Sequence, residues 1–346
     1  MKKIMILKVV AVAMVLCMLL GACAAPSNEP AKTDAQPEPA VTESSPAEET
    51  QPAAQEPAAE TIKIGFVVKV INPFFTVMLD GAQKKADEMG IELLTGAASE
   101  QTKTEEQIAI VQDMVTKGVK AICIAPMDSE ALLPCLDEAQ KAGVVVVNLD
   151  NRLNAETAKE LGMDAIPFVG VSDEASAYLA AKSICDAMGG EGEVAIIEGI
   201  QSADNAQQRK AGAERAFGEY AGIKIVASQT ANWNAEEGLS VFTNILQANP
   251  NIKGVFCAND AMSFGVIQAI EAAGKTGQIF VASIDAEDAA IENVKNGIEL
   301  ATVYNNQDAQ AAKAIEVAVD MVNGKEPSSM DIVVDTILYT KDNLPS

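Results

Sequence analysis

From Thr61 onward, short apolar runs alternate with longer stretches in which apolar residues recur at three-and-four spacing. No other feature of the chain constrains its fold as much. A strand that is apolar along its whole length has both faces buried, and helices between such strands supply the cover, so the pattern calls for parallel sheets. Strands are expected at Ile62–Val68, Ile91–Leu94, Val119–Ile124 and Val144–Leu149, then at Ile166–Val171, Glu193–Ile197, Lys224–Ala227, Gly254–Cys257, Ile279–Ile284 and Leu300–Val303. Ile108, Val111, Met114 and Val115 mark one intervening helix; Ile315, Val319 and Val322 mark another. Gly90, Gly118 and Gly143 each stand where a helix should end before a strand. Right-handed crossovers then give an α/β fold of two doubly wound lobes, with a seam over the less regular stretch 151–165.

Ligands in open α/β sheets bind beyond the carboxyl ends of the strands. Two such edges facing each other would make an interlobe cleft. Asn72-Pro73-Phe74-Phe75 follows the first strand directly. Asn72 suits a helix N-cap and Pro73 the first helical position. Two adjacent phenylalanines cannot share one helical face, and an aromatic ring packs well on the apolar C–H face of a sugar. Polar residues recur just past other strand ends: Lys69, Asp150 with Asn151 and Arg152, Asn259 with Asp260, Asp285, and Asn305 with Asn306. Each one alone fits a cap or a solvated loop. Together they offer hydroxyl donors and acceptors in both roles, which suits a ligand without strong charge.

The N-terminal part is of another kind. Lys2, Lys3 and Lys8 flank the apolar run from Val9 to Leu20, which is shorter than the roughly 20 residues a spanning helix needs and reads as a signal peptide. Leu20-Gly21-Ala22-Cys23 then resembles the lipobox of bacterial lipoproteins, in which the cysteine is acylated. That resemblance implies removal of residues 1–22, a lipid anchor on Cys23 and a place on the outer face of the cytoplasmic membrane. Residues 24–60 are rich in Ala, Pro, Glu, Gln, Ser and Thr, with Val41 as their one branched aliphatic. Such a segment cannot bury enough apolar surface to offset its chain entropy, so 23–60 is expected to be a disordered tether.

With 25 basic and 49 acidic residues the chain carries a formal charge of −24, which argues against nucleic acid and anionic membranes as partners. It has no histidine, which excludes Ser-His-Asp and Cys-His catalysis and histidine-ligated metals. Cys123, Cys135, Cys185 and Cys257 form no C-x-x-C pair and read as buried free thiols. Nothing calls for a cofactor or a metal.

Asn72-Pro73-Phe74-Phe75, Asp80-Gly81-Ala82, Asn148-Leu149-Asp150, Val226-Ala227-Ser228-Gln229, Asn249-Pro250-Asn251-Ile252-Lys253 and Cys257-Ala258-Asn259-Asp260 occur in that order between Ile62 and Thr340. In these motifs the chain resembles the ribose-type (type I) periplasmic sugar-binding proteins, the substrate-binding components of ABC importers, and among them the ribose and allose binders. The resemblance implies two lobes joined by three crossings, near Val171, Asn305 and Pro327: one lobe from 61–171 with 306–326, the other from 172–305 with 327–346. It further implies that Asn72, Phe74 and Phe75 bond and stack on a sugar, with Lys69 at the end of the first strand and Asp150 accepting from hydroxyls. From the second lobe it implies Arg209 of an R-x-x-G pattern, Trp233 as the opposite aromatic wall, Asn259 and Asp285 as a hydrogen-bonding pair, and Asn305 near a hinge. Asn151 stands where ribose proteins have arginine, Ile284 replaces an aromatic residue, and Asn305 is a methylene shorter than the family's glutamine. A pentose, a hexose such as allose, and a polyol therefore all stay open.

The resemblance implies a monomeric clamshell that closes on its ligand and docks on an ABC permease, with no covalent step. Three other readings compete. A sugar-responsive repressor would need a DNA-binding helix-turn-helix and basic surface. A glycosidase would need a recognisable pair of acids. A receptor for a furanosyl signal, handing its ligand to a chemoreceptor, would share the same cleft.

Overall fold

The computed structural model describes residues 61–345. The signal peptide 1–22, the anchor Cys23 and the tether 23–60 lie outside the described residues. The first sheet contains β1 (Lys63–Val68), β2 (Glu92–Ala97), β3 (Ala121–Ile124), β4 (Val145–Leu149), β5 (Phe168–Gly170) and β11 (Asp331–Val333). The second contains β6 (Glu191–Glu198), β7 (Gly222–Thr230), β8 (Ile252–Cys257), β9 (Phe280–Ile284), β10 (Ala301–Tyr304) and β12 (Ile337–Thr340). Their orders are β11-β5-β4-β3-β1-β2 and β12-β10-β9-β8-β6-β7, one plan used twice. All neighbours pair parallel except β10 and β12. The strand order reverses between β1 and β3 in one sheet and between β6 and β8 in the other, and there the loops part to leave a crevice.

Helices α1 (Pro73–Met89), α2 (Thr104–Thr116), α3 (Leu133–Lys141), α4 (Ala155–Glu160) and α10 (Gln307–Val322) accompany the first sheet. Helices α5 (Asp173–Ala187), α6 (Asp204–Gly218), α7 (Ala235–Ala248), α8 (Asp260–Ala272) and α9 (Asp288–Asn296) accompany the second. The period of two along each strand feeds opposite cores. Ile64, Phe66 and Val68 of β1 join Ala121 and Cys123 of β3 under α1 and α10, whereas Val67, Ile122 and Ile124 pack under α2 and α3. The second lobe has its own core, including Val194, Ile196, Phe217, Phe242 and Phe256. Gly90 ends α1 at φ 65°, where a side chain would be strained.

The structure moves the seam read at 151–165 and the third crossing; the first crossing lies beside Val171. β5 pairs with β4, so the seam follows Gly170 and the stretch 151–165 belongs within the first lobe. The third crossing lies at 334–336, between β11 and β12, rather than near Pro327. β11 and β12 are three and four residues long and lie at the edges of their sheets with no helix between them, so their short apolar runs do not extend the alternating pattern. Cys123, Cys135, Cys185 and Cys257 are buried free thiols. Among the described residues, no helix is long and apolar enough to cross a membrane.

Candidate functional site

The carboxyl ends of both sheets meet around a small cavity. Lys69, Asn72, Phe74, Phe75, Gln101 and Asp150 line it from the first lobe; Asn205, Arg209, Trp233, Asn259 and Asp285 line it from the second. Nine of the ten residues expected from sequence are therefore brought together. Asn305 is not among them. It is buried at the second crossing, where its Oδ1 accepts from Ser176 Oγ at 3.3 Å and its carbonyl accepts from Gln310 at 2.6 Å. Arg152 also points elsewhere, stacked 3.7 Å from the Phe168 ring centre and paired with Asp331 at 2.8 Å.

Two helix starts supply asparagines. Asn72 Oδ1 accepts the Phe75 N–H at 2.9 Å and Asn259 Oδ1 accepts the Met262 N–H at 3.0 Å, so each caps the helix that follows it. Both phenylalanines are buried despite being adjacent, because they meet edge to face with centroids 4.9 Å apart. Trp233 forms the facing wall. It sits with Asn232 in a tight turn, both at positive φ (62° and 50°), closed by Asn234 N–H donating to Ala231 O at 2.8 Å. The indole lies flat on the backbone of Gly199, where a Cβ would come within 2.0 Å of it. The six non-glycine residues with positive φ among the described residues are Asp150, Asn232, Trp233, Asp285, Ala286 and Asn306. Each lines the cleft or adjoins a residue of the cleft or of the second crossing. A bulky residue held this way costs free energy that the surroundings must offset.

The charges are arranged in pairs. Lys69 Nζ lies 2.7 Å from Asp150 Oδ2 and 5.8 Å from the Phe75 ring centre. Arg209 Nε donates to Asp173 Oδ1 at 2.7 Å and Nη1 to the Ala258 carbonyl at 2.7 Å; its guanidinium stands 5.4 Å from the Trp233 ring centre and Nη1 lies 3.6 Å from Asp285 Oδ1. Burial pushes the Asp173 carboxyl up to about 6 against the pull of Arg209. It pushes Asp285 well above the usual range, again with Arg209 opposing. Each cation thus has its own carboxylate, and the cleft is close to neutral. Behind Asn259, Asp260 is fully buried; it accepts from Ser283, from Thr302 Oγ1 at 2.8 Å and from the Glu287 N–H at 2.7 Å, tying the loop after β9 to the start of α8. Burial raises Asp260 to about 7 and raises Glu299, which shares Ser283 with it, well above its ordinary value.

These four acids give stability a definite pH dependence. Their folded values exceed their unfolded ones, so the contribution is complete below about pH 4; the share of Asp173 and Asp260 is lost as pH rises through about 6 and about 7, and Asp285 and Glu299 act in the same direction. The melting temperature is therefore expected to be several degrees higher at pH 5.5 than at pH 8, as read by calorimetry in matched ionic strength. A flat or rising profile over that interval would contradict the assignment.

Two cleft residues, Gln101 and Asn205, were not among those expected. Gln101 lies in the loop after β2 and Asn205 in the first turn of α6, and neither stands directly after a strand. Gln101 Oε1 and Asn205 Oδ1 are buried without a hydrogen-bond donor, two open acceptors in one cavity, while Asp150 Oδ2 faces Lys69.

Residues 64–326 match the family model described as a periplasmic binding protein domain. The chain belongs to the periplasmic binding protein family. It is similar to a D-ribose/D-allose-binding protein of Pseudomonas aeruginosa, at 38% identity over 80% of this chain and 88% of that one. It is likewise similar to the D-allose-binding periplasmic protein of Escherichia coli, at 36% identity over 78% and 89% of the two chains. A solved periplasmic solute-binding protein of an ABC transporter from Actinobacillus succinogenes, with bound D-allose, superposes with a TM-score of 0.78 at 41% identity, covering 82% of this chain and 98% of that one. The fold is the type I form seen in periplasmic binding proteins, and membership implies an extracytoplasmic place of work.

Proposed function

We propose that the protein is the substrate-binding component of an ABC sugar importer, and that it captures a neutral monosaccharide of the ribose or allose kind between its lobes. One observation carries this reading: a single small cavity has aromatic rings from opposite lobes, paired charges and two buried acceptors without donors. Rings suit the C–H faces of a sugar, acceptors suit its hydroxyls, and cancelled charge suits a ligand without any. The named relatives bind sugars of this class. Contacts from both lobes would favour closure by differential affinity, and the closed form, as a monomer, would present its cargo to the permease. Binding, reorientation and release complete the task without a covalent step.

The test is a thermal-shift and calorimetric screen of residues 61–346 against D-ribose, D-allose, other pentoses and hexoses, and polyols. One or more neutral monosaccharides should raise the melting temperature, whereas sugar phosphates and amino acids should not. A response to charged ligands alone would overturn the reading.

Anchoring belongs to the same proposal. Two or more acyl chains on Cys23 would hold the protein stably at the membrane, and one chain would not. Cys23→Ala is expected to move the protein from the membrane fraction to the soluble fraction in cell fractionation. Unchanged membrane association would remove the lipid anchor from the account.

A further inference from the structure

Helix α6 begins without a cap of its own. Its N-cap position is Ala203, which offers no side-chain acceptor, whereas Asn72, Ser172, Asn234 and Asn259 cap α1, α5, α7 and α8. The first N–H groups of any helix lack partners within it. In α6 two of them are satisfied by the opposite lobe. Asp204 N–H donates to Ser129 Oγ at 3.0 Å, and Asn205 N–H donates to Asn151 Oδ1 at 3.0 Å. Ser129 N–H adds a third bond, to Ser202 O at 3.3 Å. Ser129 follows β3 and Asn151 follows β4, so all three bonds run between lobes.

The acceptors are fixed in advance. Asn151 is fully buried, and its Nδ2 donates to Pro126 O at 3.0 Å and to Ser129 Oγ at 3.4 Å. Its carbonyl accepts from Asn148 Nδ2 at 2.7 Å, and Ser129 O accepts from the Asn154 N–H at 2.8 Å. None of these residues lines the sugar cavity. Asn205, however, does line it, and Asn151 holds its backbone.

We infer that Ser129 and Asn151 are positioning residues that form an interlobe latch: they supply the missing cap of α6 only when the lobes meet, hold a closed population without ligand, and set Asn205 in the cleft. Opening returns these groups to water, so the latch contributes only the net value of each bond. It acts on affinity through the fraction of protein already competent to bind. In this respect the inference rests on the sugar-capture reading, but the closed population does not.

Asp204→Pro tests the latch with little risk to folding. Proline is favoured at the first helical position, and Ala203 already has the extended backbone (φ −96°, ψ 127°) that a following proline requires. The substitution removes the N–H that Ser129 accepts. Ser129→Ala removes the acceptor instead. Small-angle X-ray scattering of the ligand-free proteins should show a larger radius of gyration for both variants than for the parent. Titration with D-allose should show about two- to tenfold weaker binding for Ser129→Ala and about tenfold for Asp204→Pro, without a lower melting temperature for the proline variant. Ligand-free scattering identical across the three proteins overturns the latch. If no sugar binds the parent, the functional reading fails, and the ligand-free comparison still decides the latch.

Discussion

In a titration of Trp233→Gly with a sugar that the parent binds, affinity is expected to fall about thirtyfold or more, with the fold retained. Truncating a buried aromatic anchor in a closed site commonly costs 2 kcal/mol or more, and this indole forms the whole aromatic wall on its side of the cleft. Glycine is the informative replacement. Asn232 and Trp233 both hold positive φ, and glycine adopts that conformation without penalty, so the turn entering α7 keeps its shape. Asn234 still caps α7 by accepting the Glu236 and Glu237 N–H groups, which keeps the helix start intact. Circular dichroism should match the parent while calorimetric binding weakens. Parental affinity in this variant would mean that the cavity is not where the ligand sits.

The second large effect is expected from Arg209→Met. Arg209 is buried and opposes the desolvation of Asp173 and Asp285, and Met of similar length leaves both acids without a cation. Removing one partner of a buried ion pair typically costs about 3–5 kcal/mol. Most of that loss should appear at pH 8 and much less at pH 5, because protonation of the stranded acids removes the buried charge. Urea unfolding at the two pH values measures the difference. An equal loss at both would show that Arg209 matters through packing alone.

The alternation of apolar runs and amphipathic stretches sufficed to read the two-lobed α/β plan, because strands buried on both faces leave an unmistakable continuous pattern. β11 and β12 escaped because they are short edge strands that follow one another with no amphipathic stretch between them. The resemblance implies a third crossing near Pro327, but the chain first adds one more strand to the first sheet. Residues directly past strand ends, such as Lys69 and Asp285, were legible because parallel sheets place those positions at one edge. Asn305 stands at such a place too, yet bonding to Ser176 turns it into the crossing. Gln101 and Asn205 depend on how a loop and the first turn of a helix reach inward, which no linear spacing encodes. Asn151 shows the same limit from the other side: a polar residue at the edge serves the opposite lobe's backbone.

The two capping asparagines have a consequence for which hydroxyl derivatives the cleft would accept. A free carboxamide can flip and present either its oxygen or its nitrogen. Asn72 and Asn259 have lost that choice, since each oxygen is committed to a backbone N–H. Their amide nitrogens remain free to donate, while an ionised Asp150 can only accept. An O-methyl ether keeps its lone pairs and loses its proton. Methylation would thus be electronically acceptable opposite the asparagines and forbidden opposite the aspartate, so a bound sugar is held in one orientation by the polarity of its partners as well as by its shape.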